Sequence, residues 1–286
     1  MKPEDVKKVS VIGCGIMGSG IVEVCAKAGT EVTFVERDDA RRDRGQGSIE
    51  KSLAKAVERE KITAEERDQV LGRISGSLDL DAAADADLVI EAVTEDLETK
   101  LDVFRTLDKI TRDEIVLATN TSSLPVIQMA SATIRPDKVL GMHFFNPAQI
   151  MGLLELVRAL TTSDETLEFA TGFGERLGKT TVVAKDRAGF IVNYLLTTYL
   201  NAAVRMYEEG FATKEDIDTA VKLGLGHPMG PLELLDLIGL DTMASVAEVL
   251  YEEFRDPDFA ASPLARRMVQ AGYLGRKTGK GFYDYS

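Results

Sequence analysis

Val9-Ser10-Val11-Ile12-Gly13-Cys14-Gly15-Ile16-Met17-Gly18 is a short β-rich apolar run followed at once by the pattern G-x-G-x-x-G. Three glycines at that spacing recur by chance. Context gives them meaning: a strand before, a helix after, and an acidic residue, Glu36, closing the next apolar run Val32-Thr33-Phe34-Val35. Glycines let the backbone turn tightly and approach a pyrophosphate, which then sits at the positive end of the helix dipole. Gly13, Gly15, Ile16, Met17 and Gly18 are therefore the expected phosphate cradle. Glu36, 18 residues beyond Gly18, is placed to accept hydrogen bonds from adenosine ribose hydroxyls and to repel a 2′-phosphate. This favours NAD over NADP, with Arg37 beside it as the residue that softens the preference. Cys14 and Cys25 read as small packing residues and not as reactive thiols.

Outward from this loop, short apolar runs alternate with helix-length amphipathic stretches such as 98–110. Leu88-Val89-Ile90, Ile115-Val116-Leu117-Ala118 and Val139-Leu140-Gly141-Met142 are β-rich and bounded by Gly, Asp or Asn, as buried strands are. Past Gly189 strand-like runs cease. Ile191, Leu195, Thr198, Ala202 and Met206 fall at helical spacing, as do Leu234, Leu235 and Ile238. The expected fold is α/β: a Rossmann-type doubly wound, mostly parallel sheet over 1–186, then an all-α C-terminal domain over 187–286.

Composition narrows the function. The 286 residues carry 34 basic and 47 acidic side chains, a formal charge of −13. Phosphate-backbone binding needs a basic stripe, so no nucleic-acid partner is expected. No apolar run approaches the ~20 residues that span a bilayer, so no membrane is expected either. The start, Met1-Lys2-Pro3-Glu4-Asp5, lacks a signal core, which predicts a cytoplasmic protein. With 2 cysteines and 2 histidines, neither a disulfide framework nor a His/Cys metal centre is expected.

His143 ends the run that begins at Val139, and carboxyl ends of strands in such sheets face the ligand crevice. Glu155 lies inside Leu153-Leu154-Glu155-Leu156-Val157, where a carboxylate is costly to bury without a partner. If the two runs pair as neighbouring strands, Glu155 reaches His143, orients the ring and makes it a general base. Separately, each residue has a plain reading, a histidine in a turn and a glutamate on the wet side of an edge strand. Asn120-Thr121-Ser122-Ser123 follows another strand at the same edge. It either caps the next helix or offers a hydroxyl to a substrate oxygen. Asn193, at the start of the first helix of the second domain, has the same two readings. Residues 41–61 hold seven basic and four acidic residues, and Lys51, Lys55 and Arg59 recur every fourth position on one helical face. That face is either a solvated helix surface or a site for an anionic ligand.

These segments together resemble the L-3-hydroxyacyl-CoA dehydrogenase family, most closely its bacterial 3-hydroxybutyryl-CoA branch, over essentially the whole chain. The likeness rests on the glycine loop, Glu91-Ala92-Val93-Thr94-Glu95, Asn120-Thr121-Ser122-Ser123-Leu124 and His143-Phe144-Phe145-Asn146-Pro147. It continues in Gly189-Phe190-Ile191-Val192-Asn193, His227-Pro228-Met229-Gly230-Pro231 and Lys277-Thr278-Gly279-Lys280-Gly281-Phe282-Tyr283. The resemblance implies reversible oxidation of an (S)-3-hydroxyacyl-CoA by NAD, as in fatty acid and butanoate metabolism, by a homodimer. It implies His143 and Glu155 as the catalytic pair, with Ser122 and Asn193 binding the substrate's C3 oxygen. Glu36, Glu95, Lys100, Ser122, Asn146 and Lys277 match cofactor-contacting positions, and Ser52 matches a CoA-contacting one. Position 59, often Lys in the family, is Arg59, which keeps the charge and changes its geometry. Two other readings keep the fold: a dehydrogenase of a free 3-hydroxy acid or sugar acid, and a non-catalytic NAD-binding protein.

Overall fold

In the computed structural model, which describes residues 2–285, β1 (Lys8–Ile12) runs into the glycine loop and α1 (Ile16–Lys27) leaves it. Along the chain follow β2 (Glu31–Val35), α2 (Asp39–Glu58), α3 (Ala64–Leu71), β3 (Ile74–Ser77), β4 (Leu88–Glu91) and α4 (Leu97–Ile110). Then come β5 (Val116–Thr119), α5 (Val126–Ser131), β6 (Val139–Phe144), β7 (Leu153–Arg158), α6 (Asp164–Arg176) and β8 (Thr180–Lys185). The strands form one sheet in the order β3-β2-β1-β4-β5-β6-β7-β8. Every neighbouring pair is parallel except β6 and β7, which are antiparallel. Central strands buried on both faces, such as β4 and β5, are apolar over 88–90 and 116–118, as a covered parallel sheet demands, and turn polar only at their carboxyl ends, Glu91 and Thr119. The outer strands β3 and β8 are not among the strands expected from the sequence.

Chain contacts divide the molecule into a first unit ending at Asp186 and a second beginning at Arg187. The first has its core where Val9, Val11, Phe34, Leu88, Ile90 and Leu140 meet Ile21, Val22 and Cys25 of α1. The second contains α7 (Val192–Glu208), α8 (Lys214–Gly224), α9 (Pro231–Ile238), α10 (Leu240–Phe254) and α11 (Pro263–Gln270) around Leu200, Val204, Leu232, Leu235 and Phe282. Its only β structure among the described residues is a pair of isolated antiparallel bridges, Gly275 with Lys280 and Lys280 with Asp284.

Two buried carboxylates organise the second unit. Asp218 accepts from the N–H groups of Leu232 and Glu233 at the start of α9 and from the Tyr283 hydroxyl. Asp236 accepts from the N–H groups of Phe282 and Tyr283 and from the Tyr285 hydroxyl. A Cβ on Gly281 would collide with the Asp236 carboxylate, which explains the glycine in the Lys277–Tyr283 segment. Burial, then the bond to Asp218, raises the Tyr283 phenol above its ordinary range. No helix among the described residues is long and apolar enough to cross a membrane.

Candidate active site

The glycine loop is shaped for a ligand at one position and for packing at the others. Gly13 has φ +92°, and a Cβ there would lie 2.7 Å from the Ala92 carbonyl oxygen. A Cβ on Gly18 would strike the Gly13 carbonyl, so α1 packs directly on the loop. Around Gly15 there is open space within 4 Å. Gly15 is also the N-cap of α1, with no side chain satisfying the first N–H groups of the helix. An uncapped helix start beside an open cradle suits a pyrophosphate. Ile16, next to it, is 80 % exposed.

Glu36 closes β2 as expected. Its Oε1 accepts the Cys14 N–H at 2.7 Å, which fixes the carboxylate against the loop. The neighbouring guanidiniums are engaged elsewhere: Arg41 with Asp38 at 3.2 Å, and Arg42 with Asp39 at 2.8 Å and Asp43 at 2.9 Å. Arg37 lies 3.8 Å from Asp38. Burial, reinforced by Glu36, pushes the Cys14 thiol up to about 12, and burial does the same to Cys25. Thiols so raised are not nucleophiles at neutral pH.

A second layer lies at the carboxyl ends of β4 and β5. Glu91 is fully buried. Its Oε1 accepts from Lys100 Nζ and from Val93 N–H, both at 2.7 Å, and its Oε2 accepts from Thr119 Oγ1 at 2.6 Å. Burying an ion pair costs several kcal/mol per ion, and it is tolerated where additional donors satisfy the carboxylate, as here. Lys100, 1 % exposed, also lies 3.4 Å from Glu95 Oε2. Glu95 Oε1 then accepts from Thr121 Oγ1 at 2.6 Å, Ser122 N–H at 2.9 Å and Ser123 N–H at 3.1 Å. Burial alone would raise the Glu95 carboxyl, but Lys100 and these donors outweigh it and hold it below the ordinary value. Lys100 thus stands one layer behind Glu95, and the half-buried Ser122 hydroxyl lies 3.4 Å from that carboxylate.

The helix-capping alternative for Asn120–Ser123 is corrected by the structure. The N-terminus of α5 is capped by the Asp186 carboxylate, which accepts from Val126 and Ile127 N–H. Asn120 instead accepts the Phe144 N–H at 2.9 Å, stitching β6 to the end of β5.

The antiparallel pairing sets His143 directly opposite Glu155. Directly opposed residues share a face with Cβ atoms about 5 Å apart, so the side chains must meet. His143 Nδ1 lies 2.7 Å from Glu155 Oε2. The pair is nearly dry: His143 is 5 % exposed and Glu155 0 %. The Phe145 ring covers the imidazole at 4.6 Å between centroids. A carboxylate can only accept, which puts the ring proton on Nδ1 and a lone pair on Nε2. The turn joining the strands contains exposed Asn146, whose peptide to Pro147 is cis, and is braced by Lys179. Its buried ammonium donates to the carbonyls of Ala148 at 2.6 Å and Met151 at 2.7 Å.

Lys51, Lys55 and Arg59 are exposed on α2 and at its C-cap, and Ser52 is half-buried beside them. In the second unit, half-buried Asn193 occupies the first turn of α7, after Gly189 at φ +75°. Lys277 is paired with Asp241 at 2.5 Å. Sequence reading missed Glu91, Lys179 and Gln149 as site-building residues. For Glu91 the available signal was a carboxylate ending a wholly buried strand.

Comparison with known proteins places the chain in a family. Residues 8–187 match the NAD binding domain of 3-hydroxyacyl-CoA dehydrogenase, and residues 189–285 match its C-terminal domain. A 3-hydroxybutyryl-CoA dehydrogenase of Mycobacterium tuberculosis is 50 % identical over 285 residues, covering 98 % of this chain and 99 % of that protein. The mitochondrial hydroxyacyl-coenzyme A dehydrogenase of Sus scrofa is 44 % identical, over 98 % of this chain and 91 % of that one. Among solved structures, the (S)-3-hydroxybutyryl-CoA dehydrogenase PaaH1 of Ralstonia eutropha superimposes with a TM-score of 0.94 at 43 % identity, covering 99 % of this chain and 100 % of that chain. With both domain models matched in order along almost its entire length, the chain belongs to the 3-hydroxyacyl-CoA dehydrogenase family.

Proposed function

We propose that this chain reversibly oxidises a short-chain (S)-3-hydroxyacyl-CoA, with 3-hydroxybutyryl-CoA as the preferred substrate, to the 3-oxoacyl-CoA. The observation that carries the reading is the buried 2.7 Å contact of His143 Nδ1 with Glu155 Oε2 at the ligand-facing end of the sheet. The substrate class is that named for the relatives. Glu155 holds the Nδ1–H tautomer, and Nε2 takes the proton of the C3 hydroxyl. The bound NAD supplies the acceptor for the hydride that leaves C3 as the carbonyl forms. His143 becomes an imidazolium, and Glu155 stabilises that charge. Ser122 is assigned to the C3 oxygen, where charge develops. Asn193 and Lys277 carry the roles implied by their motif positions, the C3 oxygen and the cofactor respectively.

The cradle of Gly13, Gly15, Ile16, Met17 and Gly18 holds the pyrophosphate, with Glu95 and Asn146 completing the cofactor's surroundings and the buried Lys100 acting on them from behind Glu95. Glu36 selects NAD. A carboxylate about 4 Å from a phosphate costs a few kcal/mol at an effective dielectric of ~20, and the nearby arginines are already paired. Lys51, Lys55 and Arg59 are assigned to CoA phosphates, with Ser52 alongside. A homodimer is supported by exposed apolar side chains on the helical unit, among them Leu195, Phe211, Leu223 and Leu225. The cytoplasm is its expected location.

The test is NADH absorbance with a chain-length series of 3-oxoacyl-CoA substrates, repeated with NADPH. Acetoacetyl-CoA should be turned over best, with NADH preferred on the order of 100-fold in kcat/KM. Absence of NADH oxidation with every thioester would overturn the proposal, and equal turnover of free acetoacetate would point to a free-acid enzyme.

A further inference from the structure

Gln149 sits in the turn between His143 and Glu155 and touches both helices that flank the glycine loop. Its Nε2 donates to Ser52 Oγ on α2 at 3.2 Å. On its other side, a Cβ built on Gly20 of α1 would lie 2.7 Å from Gln149 Oε1 and 3.0 Å from Ala148 Cβ, so the amide packs directly against the glycine of that helix. Lys179 fixes the backbone on both sides of Gln149 through the Ala148 and Met151 carbonyls.

Ser52 is unusual among helical hydroxyls in this chain. Such groups commonly donate to the carbonyl one turn back. Ser48 does so to Arg44 at 2.9 Å, Thr106 to Asp102 at 2.9 Å and Thr171 to Leu167 at 2.8 Å. Ser52 makes no such bond, and its contact with Gln149 is its one side-chain hydrogen bond among the described residues. A hydroxyl has one proton and two lone pairs. Gln149 occupies a lone pair, so the proton remains for a ligand acceptor.

We propose that Gln149 is a positioning residue that presents the Ser52 hydroxyl proton to an acceptor oxygen of the CoA portion of the substrate. The inference rests on the acyl-CoA reading of Ser52 given above. It makes the turn carrying the catalytic hairpin a part of CoA recognition. Without the amide, the Ser52 hydroxyl is released to its own helix carbonyl and must be recovered on binding.

The experiment compares kcat/KM for acetoacetyl-CoA with that for acetoacetyl-N-acetylcysteamine, a thioester lacking the CoA phosphates. In the wild type the ratio should strongly favour the CoA ester. Gln149→Met and Ser52→Ala should each reduce that ratio about five- to tenfold, the worth of one hydrogen bond, and the double variant should be no worse than the poorer single. Gln149→Glu, which accepts the Ser52 proton instead of donating, should reduce it further. The short thioester also reports whether each variant is folded and active. Equal losses on both thioesters, an unchanged ratio, or additive losses in the double variant would overturn the role of Gln149. A wild-type ratio near one would instead remove the CoA reading itself, before any variant is compared.

Discussion

Glu155 illustrates how one atom type decides the chemistry. Replacing it by Gln keeps the shape but offers an amide that can donate toward Nδ1. The imidazole then answers with the other tautomer, its proton on the nitrogen that must accept one. Glu155→Gln and His143→Gln should each lower kcat about 10²- to 10⁴-fold, and the double variant should fall little further, because the two residues act as a unit. Steady-state kinetics at saturating NAD measures this, and near wild-type turnover in either single variant would contradict the assignment. The pair was legible in the sequence because a carboxylate among leucines demands a partner and only two histidines exist to supply one. Gln149 and Lys179 were not legible, since a glutamine in a turn and a lysine before a strand follow no periodicity. Glu91 stood in plain view as a strand end. Its partner Lys100 lies nine residues on, across a loop whose course only the fold determines.

Among the elements, those that hold the site were read and those at the margins were not. β3 is Ile-Ser-Gly-Ser and β8 opens on two threonines, so neither shows the apolar run of a strand buried on both faces. Both are outer strands, covered less and therefore free to be polar. β8 nevertheless matters, because Lys179 immediately precedes it and ties the catalytic turn to it. Burial lowers the Lys179 ammonium below its ordinary pKa. Lys179→Met would relieve that burial but strand two inward carbonyls, each worth about 1–3 kcal/mol when unsatisfied. The net expectation is a loss of about 2 kcal/mol in urea unfolding of the full chain followed by a probe in the first unit. An unchanged midpoint would show that water replaces the ammonium without penalty.

Across the molecule, the alternation of strands and helices announced the α/β class, and the change of texture past Gly189 announced the helical segment. What composition could not convey is that several carboxylates in both units are held in the charged form. Burial tends to raise Asp87, Glu95 and Asp241, but hydrogen bonds and paired cations prevail and keep each below its ordinary value. A depressed carboxylate stabilises the folded state above its unfolded pKa, near 4.5 for glutamate, and loses that contribution as pH falls through its lower folded value. Unfolding free energy should therefore decline steadily below about pH 4.5. Denaturation in urea from pH 6 to pH 3 tests this, and Glu95→Gln should flatten part of the slope, whereas a level profile in the parent chain would refute it. The lone antiparallel joint between β6 and β7 has a corollary for descent. Base and acid sit on facing rungs, so one residue inserted within either strand would turn that strand's member of the pair to the far side of the sheet and abolish turnover. The connection at residues 145–152 escapes that parity rule but is held by contacts of its own, Gln149 with Ser52 and Lys179 with the Ala148 and Met151 carbonyls, so it is bound by position where the strands are bound by register.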